Sequence, residues 1–292
     1  MTRPLLSAPG HAFVWATVSA VAFAASSAAA KFLGEKLPAA ELTFFRAAFG
    51  AVFLIGVWRF VADLGKLRDP WGHVTRCGLG IVSLYSFMYA VTAIPLALAS
   101  LLFITRVLLL PVTAQMMLGE RSGPLVWGAV IIGFVGAAIP FVPALAVPEQ
   151  RWGVVAALLA SVSSAGSQTA VRRLTATNSA GLIVLVYATV SLAATAPVAM
   201  ANWVVPPAPD WVLLAALGLF ALGAQFAAAK AFSMASVGFL APFDFLTVPV
   251  AAALGFLLFG EIPTGFDLAG GVLVLAAVVA VTRGRGFRSP RS

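Results

Sequence analysis

The sequence contains few charged residues, and this scarcity indicates the environment in which the chain folds. Only 10% of its 292 residues are charged and 61% are hydrophobic, whereas about 25% of an ordinary globular protein is charged. A soluble protein of this length would need more charges to cover its surface. Apolar runs of about 20 residues, the length that crosses a lipid bilayer, recur along the chain. The sequence therefore predicts an all-α protein embedded in a membrane.

The sequence lacks the residues that disulfide formation, metal binding and nucleotide hydrolysis require. The single cysteine, Cys77, cannot form an internal disulfide. His11 and His73 lack neighbouring cysteines or carboxylates suited to metal binding, and no GxxxxGK[ST] phosphate-binding loop occurs. No catalytic constellation is apparent, so we expect no enzyme, cofactor or metal. The lysines and arginines fall in short connectors rather than on a basic helix, which argues against nucleic acid as a partner.

Hydrophobic runs between charged or Pro/Gly-rich breaks predict ten transmembrane helices. Their approximate cores are 12–33, 41–62, 77–94, 96–118, 124–142, 153–172, 179–201, 211–233, 237–259 and 265–282. The first run imitates a cleaved signal peptide, but it is long and another run follows at once, so we interpret it as a helix. The connectors at Ile94-Pro95 and Ser236 are barely turns and predict tightly paired antiparallel helices.

Positive charges are distributed unevenly between the two sides of this arrangement. With a cytoplasmic N-terminus, the outer connectors carry only Lys36 and Arg151, with Lys31 near that edge. The cytoplasmic side carries Arg3, Arg59, Lys66, Arg68, Arg76, Arg121, Arg172, Arg173, Arg283, Arg285, Arg288 and Arg291. The positive-inside rule then predicts a multi-pass protein of the cytoplasmic (inner) membrane with both termini in the cytoplasm.

The sequence also contains an internal repeat. The segment MLGERSGPLVWGAVIIGFVGAA at 117–138 matches LFGEIPTGFDLAGGVLVLAAVV at 258–279. The two halves, 1–150 and 151–292, each hold five spans, and an odd number places them in opposite orientations. Such an inverted repeat is typical of secondary transporters. For Glu120 and Glu261 in the repeated Gly-Glu pair, we expect a structural role, as carboxylates beside the N-terminus of the next helix.

Three stretches resemble the EamA family of the drug/metabolite transporter superfamily. They are AAKFLGEKLPAAELTFFRAAFGA, IPLALASLLF with the following LGERSGPLVWGAVIIGFVGAAI, and LAPFDFLTVPVAAALGFLLFGEIPTGFDLAGGVLVLAA. Lys31 and Arg46 occupy the lysine and arginine positions of that family. The resemblance implies a ten-helix inverted-repeat transporter of small metabolites, a family whose members carry amino acids, riboflavin, S-adenosylmethionine and nucleotide-linked compounds. The chain departs from the family at Pro111, one turn after the usual proline, and at Phe245, where many relatives have tyrosine.

Arg106 is the ionisable residue that lies deepest in a predicted span, about ten residues from either end. A charge at that depth must face protein, water or a ligand. Its guanidinium suits a substrate carboxylate or phosphate, and the alternative is a static pair with Asp244. Asp244 could instead pair with Lys230, either as a gate or as a packing contact. As the one carboxylate well inside the spans, it is also the candidate for proton coupling.

The other candidate residues are weaker. Arg46, about five residues deep, could reach the interface, pair with Glu41 or cap helix carbonyls, and we favour these structural roles over substrate contact. Large polar side chains are harder to place in lipid than the serines, which suit helix packing. The predicted substrate-binding residues are Arg106, Tyr85, Tyr89, Gln168, Gln225 and Phe245, and the predicted coupling or gating residues are Asp244, Lys230 and Arg46.

Together these features predict a secondary transporter that exports amino acids, including aromatic ones, or related compounds. Its partners would be a small-molecule substrate and the lipid bilayer, with protons as a further possibility. Uptake of a cofactor-like metabolite such as riboflavin or S-adenosylmethionine is the alternative within transport. A membrane scaffold or sensor without transport activity is the alternative of another class.

Overall fold

The computed structural model describes residues 8–56, 65, 67–119, 123–234 and 244–284. The α-helices of this part of the chain are α1 (Ala8–Leu33), α2 (Ala39–Gly56), α3 (Pro70–Ala93), α4 (Leu96–Ile104), α5 (Arg106–Leu118), α6 (Pro124–Ala146), α7 (Pro148–Leu174), α8 (Ala180–Ala201), α9 (Asp210–Met234), α10 (Thr247–Phe259) and α11 (Gly265–Gly284). The predicted turn between α3 and α4 is present at Ile94 and Pro95. Glu120, Ser236 and Pro242 lie outside the described residues.

Six stretches of these helices are long and apolar enough to cross a membrane. They are His11–Leu33, Pro70–Ala93, Leu96–Leu118, Pro148–Leu174, Ala180–Ala201 and Asp210–Ala231. Shorter apolar helices cover Trp127–Ile139, Thr247–Phe259 and Gly265–Ala277. The fold is therefore that of an all-helical, multi-pass membrane protein, and the count of ten spans stays a prediction.

The predicted fourth span is two helices rather than one. Thr105 separates α4 from α5, and its hydroxyl bonds to the Leu102 carbonyl at 2.6 Å and to the Ser161 hydroxyl at 2.8 Å. These contacts satisfy groups that a helix break would leave unpaired in the membrane. A turn at Phe245 and Leu246 precedes α10 at the equivalent place, 141 positions later. Thr105 is fully buried, and Phe245 and Leu246 are partly buried.

Two glycines end the helices that follow these breaks. Gly119 after α5 has φ 70° and Gly260 after α10 has φ 66°, again 141 positions apart. Only glycine adopts this left-handed conformation without a steric penalty, so it ends a helix abruptly. Both glycines of the repeated Gly-Glu pair therefore end a helix.

The helices pack in pairs through small side chains. The main pairs are α1 with α9, α3 with α7, α6 with α11, and α2 with α8. One face of α1 carries an alanine every fourth residue, each at most 4% exposed: Ala12, Ala16, Ala20, Ala24 and Ala28. Ser19 and Ser26 extend the contact by donating hydrogen bonds to the α9 carbonyls of Ala224 and Leu217, both at 2.8 Å. Small residues allow this close approach of helices in a membrane.

One end of the bundle, here called the Lys31 end, is held by ion pairs. The Lys31 amine lies 2.8 Å from Glu261 and donates to the Ile94 carbonyl at 2.8 Å. Glu261 also accepts a hydrogen bond from the Leu96 amide at 2.9 Å. The Lys31 side chain is only 16% exposed and pairs with the loop that follows α10. Glu261 lies beside the N-terminus of a helix, as predicted. That helix is α4, however, and not α11, the helix that follows Glu261 in the sequence.

The opposite end, here called the Asp69 end, joins α3 to α7. Asp69 caps α3 by accepting from the Gly72 amide, and Arg173 donates two hydrogen bonds to its carboxylate at 2.6 and 2.9 Å. The Arg173 hydrogen bond is the main reason that the pKa of Asp69 lies below its usual range. The Asn178 side chain accepts a hydrogen bond from the Arg68 backbone amide and donates one to the Arg68 carbonyl, both at 3.0 Å.

Candidate functional site

A cavity of about 150 Å³ lies between the helices, with walls from both halves of the sequence. Its charged lining residues, within the described part of the chain, are three arginines and one carboxylate: Arg46, Arg76, Arg106 and Asp244. Phe23, Phe87 and Phe103 form an aromatic wall, with ring centroids 4.4 to 5.4 Å apart. The lining therefore combines aromatic surface with an excess of positive charge.

Arg106 lies in the cavity wall because the break at Thr105 makes it the first residue of α5. It is 7% exposed, and its Nη2 lies 3.3 Å from Asp244 Oδ2. The guanidinium carbon stands 4.3 Å from the centroid of Phe103, a cation–π distance. Its Nε and Nη1 atoms have no protein hydrogen-bond partner in the described residues. The pair of Arg106 with Asp244 thus uses Nη2 and leaves Nε and Nη1 without a described partner.

Arg46 has fewer protein contacts than Arg106. It is 8% exposed and lines the cavity, with its guanidinium carbon 5.7 Å from the centroid of Phe23. It makes no hydrogen bond or ion pair with the described residues, and its Nε is buried without a partner. The expected pair with Glu41 is absent, since that carboxylate accepts a bond from the Val204 amide at 3.1 Å instead.

Arg76 is a cavity residue that the sequence analysis missed. Its guanidinium lies 3.8 Å from the Tyr187 ring centroid and donates to Ser167 and, at 2.8 Å, to Gln225. We had placed it in a cytoplasmic connector, because the predicted span began at residue 77. The helix begins seven residues earlier, where Asp69 and Pro70 form a cap and first turn that are a recognisable start signal.

Gly80 makes the contact between Arg76 and Tyr187 possible. A methyl group at this position would overlap the Tyr187 ring and the Arg76 guanidinium. The Tyr187 hydroxyl donates to the Gly80 carbonyl at 3.1 Å, which fixes the ring under the arginine. Four helices, α3, α7, α8 and α9, therefore hold the Arg76 side chain.

The predicted site residues divide into two groups. Arg46, Arg106, Gln168, Gln225 and Asp244 line the cavity. Tyr85, Tyr89, Phe245 and Lys230 are not among its lining residues. The Tyr85 hydroxyl lies 3.5 Å from the Thr195 carbonyl, and Tyr89 is 44% exposed. Phe245 packs on the core between α4 and α11. The Lys230 amine lies 5.9 Å from the centroid of the Phe226 ring.

The cavity extends toward the Asp69 end and is closed toward the Lys31 end. Its lining on the Asp69 side includes Arg76, Gly80, Val171 and Ile183. At matching depths on the other side, the side chains are fully buried against one another: Ser26, Ala30, Leu42 and Leu217, each 0% exposed. An aromatic cluster of Phe45, Trp203 and Trp211 covers that side further, with ring centroids 5.4 Å apart. In the described part of the chain, the cavity therefore faces the Asp69 side of the bundle.

Metal chemistry has no support in the described residues, where no cluster of three His, Cys, Asp or Glu side chains could hold an ion. Comparison with known proteins instead points to transport. The sequence model of the EamA-like transporter family matches residues 11–142 and 151–283. The chain belongs to this family. The resemblance predicted from its motifs is thereby confirmed, and the family consists of transporters rather than enzymes.

Other EamA-like proteins similar to this chain have different substrates. The pseudopaline exporter CntI of Pseudomonas aeruginosa is 29% identical over 92% of this chain and 94% of its own length. The riboflavin transporter of Rhizobium johnstonii is 26% identical over 92% and 90%. The S-adenosylmethionine uptake transporter of Rickettsia felis is 26% identical over 91% and 90%. These relatives support a metabolite transporter and leave its substrate open.

A crystal structure has the same fold as this EamA-like chain. It superimposes with a TM-score of 0.68 over 95% of this chain and 99% of the other, at 21% sequence identity. At that identity the likeness concerns the helical architecture alone.

Proposed function

We propose that this protein is a secondary transporter that moves small organic acids, amino acids among them, across the cytoplasmic membrane by alternating access. The observation that carries the proposal is the charge of the cavity, where Arg46, Arg76 and Arg106 face a single described carboxylate, Asp244. Buried arginines require an anion nearby, and a guanidinium binds carboxylates with two parallel donors. A carboxylate-bearing substrate would supply the missing negative charge.

In this proposal Arg106 contacts an acidic group through its Nε and Nη1 donors, which have no partner in the described residues. Gln168 and Gln225 supply hydrogen bonds, and the Oε1 atom of Gln168 is likewise buried without a partner. Phe23 and Phe103 provide an apolar face for the remainder of the substrate. Tyr85 and Tyr89, expected to take part, lie away from the lining in this conformation.

Alternating access would use the two sequence halves, 1–150 and 151–292, as inverted five-helix repeats. What supports this is the recurrence of features 141 positions apart: the helix breaks at Thr105 and Leu246 and the left-handed glycines 119 and 260. The helix pairs also exchange under such a repeat, since α1 on α9 becomes α7 on α3. Discontinuous helices near a central site are common in transporters built this way.

Export follows if the Asp69 end faces the cytoplasm. The positive-inside rule supports that orientation, because Arg68, Arg172 and Arg173 cluster at this end. The cavity would then be open toward the cytoplasm and closed toward the outside, ready to load an internal metabolite.

The proposal is tested by efflux from liposomes that contain the purified protein and are preloaded with amino acids or with cofactor-type metabolites. We expect efflux of a carboxylate-bearing solute to fall about tenfold or more in Arg106→Ala, because a hydrogen bond to a charged group contributes about 1.5–3 kcal/mol. Arg151→Ala is the matched control, since Arg151 is exposed at the start of α7. Efflux that survives Arg106→Ala would make Arg106 a structural residue.

Proton coupling would depend on Asp244, the described carboxylate of the cavity wall. If protons drive transport through this group, the rate of the parent protein changes with pH and the rate of Asp244→Asn does not, since an amide cannot titrate. The measurement is the efflux rate between pH 5 and 8 under an imposed proton gradient, normalised to the folded protein in each preparation. An unchanged pH profile in Asp244→Asn would exclude Asp244 as the coupling site.

Uptake of a cofactor-like metabolite is the second candidate, favoured by the riboflavin and S-adenosylmethionine relatives. The positive lining is unsuited to the sulfonium cation of S-adenosylmethionine, so riboflavin is the better representative of this alternative. A scaffold or sensor without transport activity predicts no efflux for any loaded solute. The same liposomes therefore separate all three functions.

A further inference from the structure

The Arg46 guanidinium is buried, and no carboxylate among the described residues pairs with it. The side chain is 92% buried, lines the cavity and makes no hydrogen bond or ion pair with any described residue. Its guanidinium carbon lies 5.7 Å from the centroid of the Phe23 ring. A cation–π contact compensates only a small part of the cost of burying a charge. The geometry therefore calls for an anion at Arg46.

Arg76 presents a second charge that has no acidic partner among the described residues, and its side chain is held in place. Ser167 and Gln225 accept hydrogen bonds from its two Nη atoms, and Tyr187 stacks beneath it. All three partners are uncharged, so they orient the guanidinium without neutralising it. Its Nε donor is buried without a partner. A fixed guanidinium in this arrangement is suited to bind an anionic group with little loss of side-chain entropy.

Arg106 differs from these two because it already has a counterion. Asp244 lies 3.3 Å from it, so this pair brings no net charge to the cavity. Among the described lining residues the remaining excess is two positive charges, on Arg46 from α2 and on Arg76 from α3. The two guanidiniums are carried by different helices, and Tyr187 and Gln225 also belong to the lining.

We infer that the substrate carries two separate acidic groups, one bound at Arg46 and the other at Arg76. This rests on the proposed function and assigns its substrate class: dicarboxylates and amino acids with an acidic side chain, rather than neutral amino acids. Arg106, while paired with Asp244, donates from its Nε and Nη1 atoms to one of these two groups, and the phenylalanine wall contacts the carbon chain of the ligand. A monocarboxylate would leave one of the two arginines without a counterion.

The test is isothermal titration of the full-length protein in detergent with a matched set of probes. These are succinate, glutarate and adipate, with butyrate as the monocarboxylate and glycerol 3-phosphate as a single doubly charged group. We expect the best dicarboxylate to bind about tenfold more tightly than butyrate, because it makes one additional charge-assisted contact. Arg46→Gln and Arg76→Gln should each remove that preference, so that the best dicarboxylate binds about as tightly as butyrate does to the same variant.

Two further variants separate a loss of charge contact from a loss of folding. Arg46→Lys keeps the charge and should retain part of the dicarboxylate preference, whereas Arg151→Gln changes an exposed arginine and should alter nothing. Monodispersity and the thermal midpoint of each variant report whether it is folded. A variant that fails to fold is replaced by its lysine counterpart in the comparison.

Several results would overturn the inference. Butyrate binding as tight as the best dicarboxylate, or a preference that both glutamine variants retain, would show that the two arginines do not act on separate acidic groups. Tighter binding of glycerol 3-phosphate would assign a single doubly charged group instead. If no dicarboxylate binds at millimolar concentration but liposomes still export another solute, the substrate class is wrong and the transport proposal survives. If nothing binds and nothing is exported, both proposals fail.

Discussion

Asp244→Leu is expected to destabilise the protein strongly, and a second substitution, Arg106→Met, is expected to restore most of the lost stability. Removing Asp244 leaves Arg106, 93% buried, without its counterion. Breaking a buried ion pair from one side costs about 3–5 kcal/mol, whereas replacing both partners with apolar residues is often neutral. The change in unfolding free energy of the double variant should therefore be much smaller than the sum of the changes in the two single variants.

The measurement is a double-mutant cycle on the unfolding of the purified protein in detergent. The matched control pair is Arg173 with Asp69, which has better hydrogen-bond geometry but side chains 50% and 19% exposed. Exposed pairs contribute about 0–1 kcal/mol, so the control cycle should show little coupling. Additive effects of Asp244→Leu and Arg106→Met would contradict the assignment of a closed buried pair.

The same variants address the function of the pair. The double variant should be stable yet deficient in export, because it lacks Arg106's free donors toward the cavity. A stable double variant with full export would show that the pair has only a structural role. Stability and transport thus give independent answers from one set of proteins.

The second large effect is expected at the Lys31 end. Glu261→Gln removes the carboxylate that pairs with Lys31 and accepts from the Leu96 amide, so one substitution weakens the contact between α1, α4 and the end of α10. The bundle should then open at that end. We expect Ser26→Cys, buried in the parent protein, to react with an impermeant maleimide about tenfold faster in the Glu261→Gln background.

The design of this experiment includes two controls. Cys77→Ser removes the native thiol, and the reverse pair Lys31→Glu with Glu261→Lys should return the labelling rate toward that of the parent. Asp210→Asn, which breaks the more exposed pair with Lys36, should change the rate little. Equal labelling in the parent and in Glu261→Gln would mean that apolar packing alone closes this end.

The membrane class, the helix positions and the family could be predicted from the sequence because each depends on local properties. Hydrophobic length indicates spans, and the repeated motif around Gly119 and Gly260 indicates the stops that the structure contains. The position of Arg106 in the cavity wall followed from depth alone, since a charge there has few alternatives. The sequence offered two partners for Asp244, Arg106 and Lys230, and gave no means of choosing between them.

The rest of the site depends on which way each helix is rotated, and sequence hydrophobicity carries little information on rotation in a membrane. Tyr85 and Tyr89 have the same chemistry as Tyr187, but only Tyr187 faces the cavity. Arg76 was assigned to a connector because charge ended the apolar run before the helix began. Arg46 was assigned a structural role because its possible partner, Glu41, lies near it in sequence, whereas that carboxylate bonds to the loop at Val204.

The alanine face of α1 has a consequence for how the bundle can move. Alanine has no side-chain rotamers, so a surface built from Ala12, Ala16, Ala20, Ala24 and Ala28 offers no knobs that lock one register against α9. Helix faces with long interdigitating side chains must reset those side chains whenever one helix shifts along the other. Here no interlocked side chains hold the alanine face, so the hydrogen bonds from Ser19 and Ser26 to the Ala224 and Leu217 carbonyls are the polar contacts that fix α1 against α9. If the proposed movement of one half against the other takes place, this contact can shift by exchanging two hydrogen bonds rather than by resetting a row of long side chains.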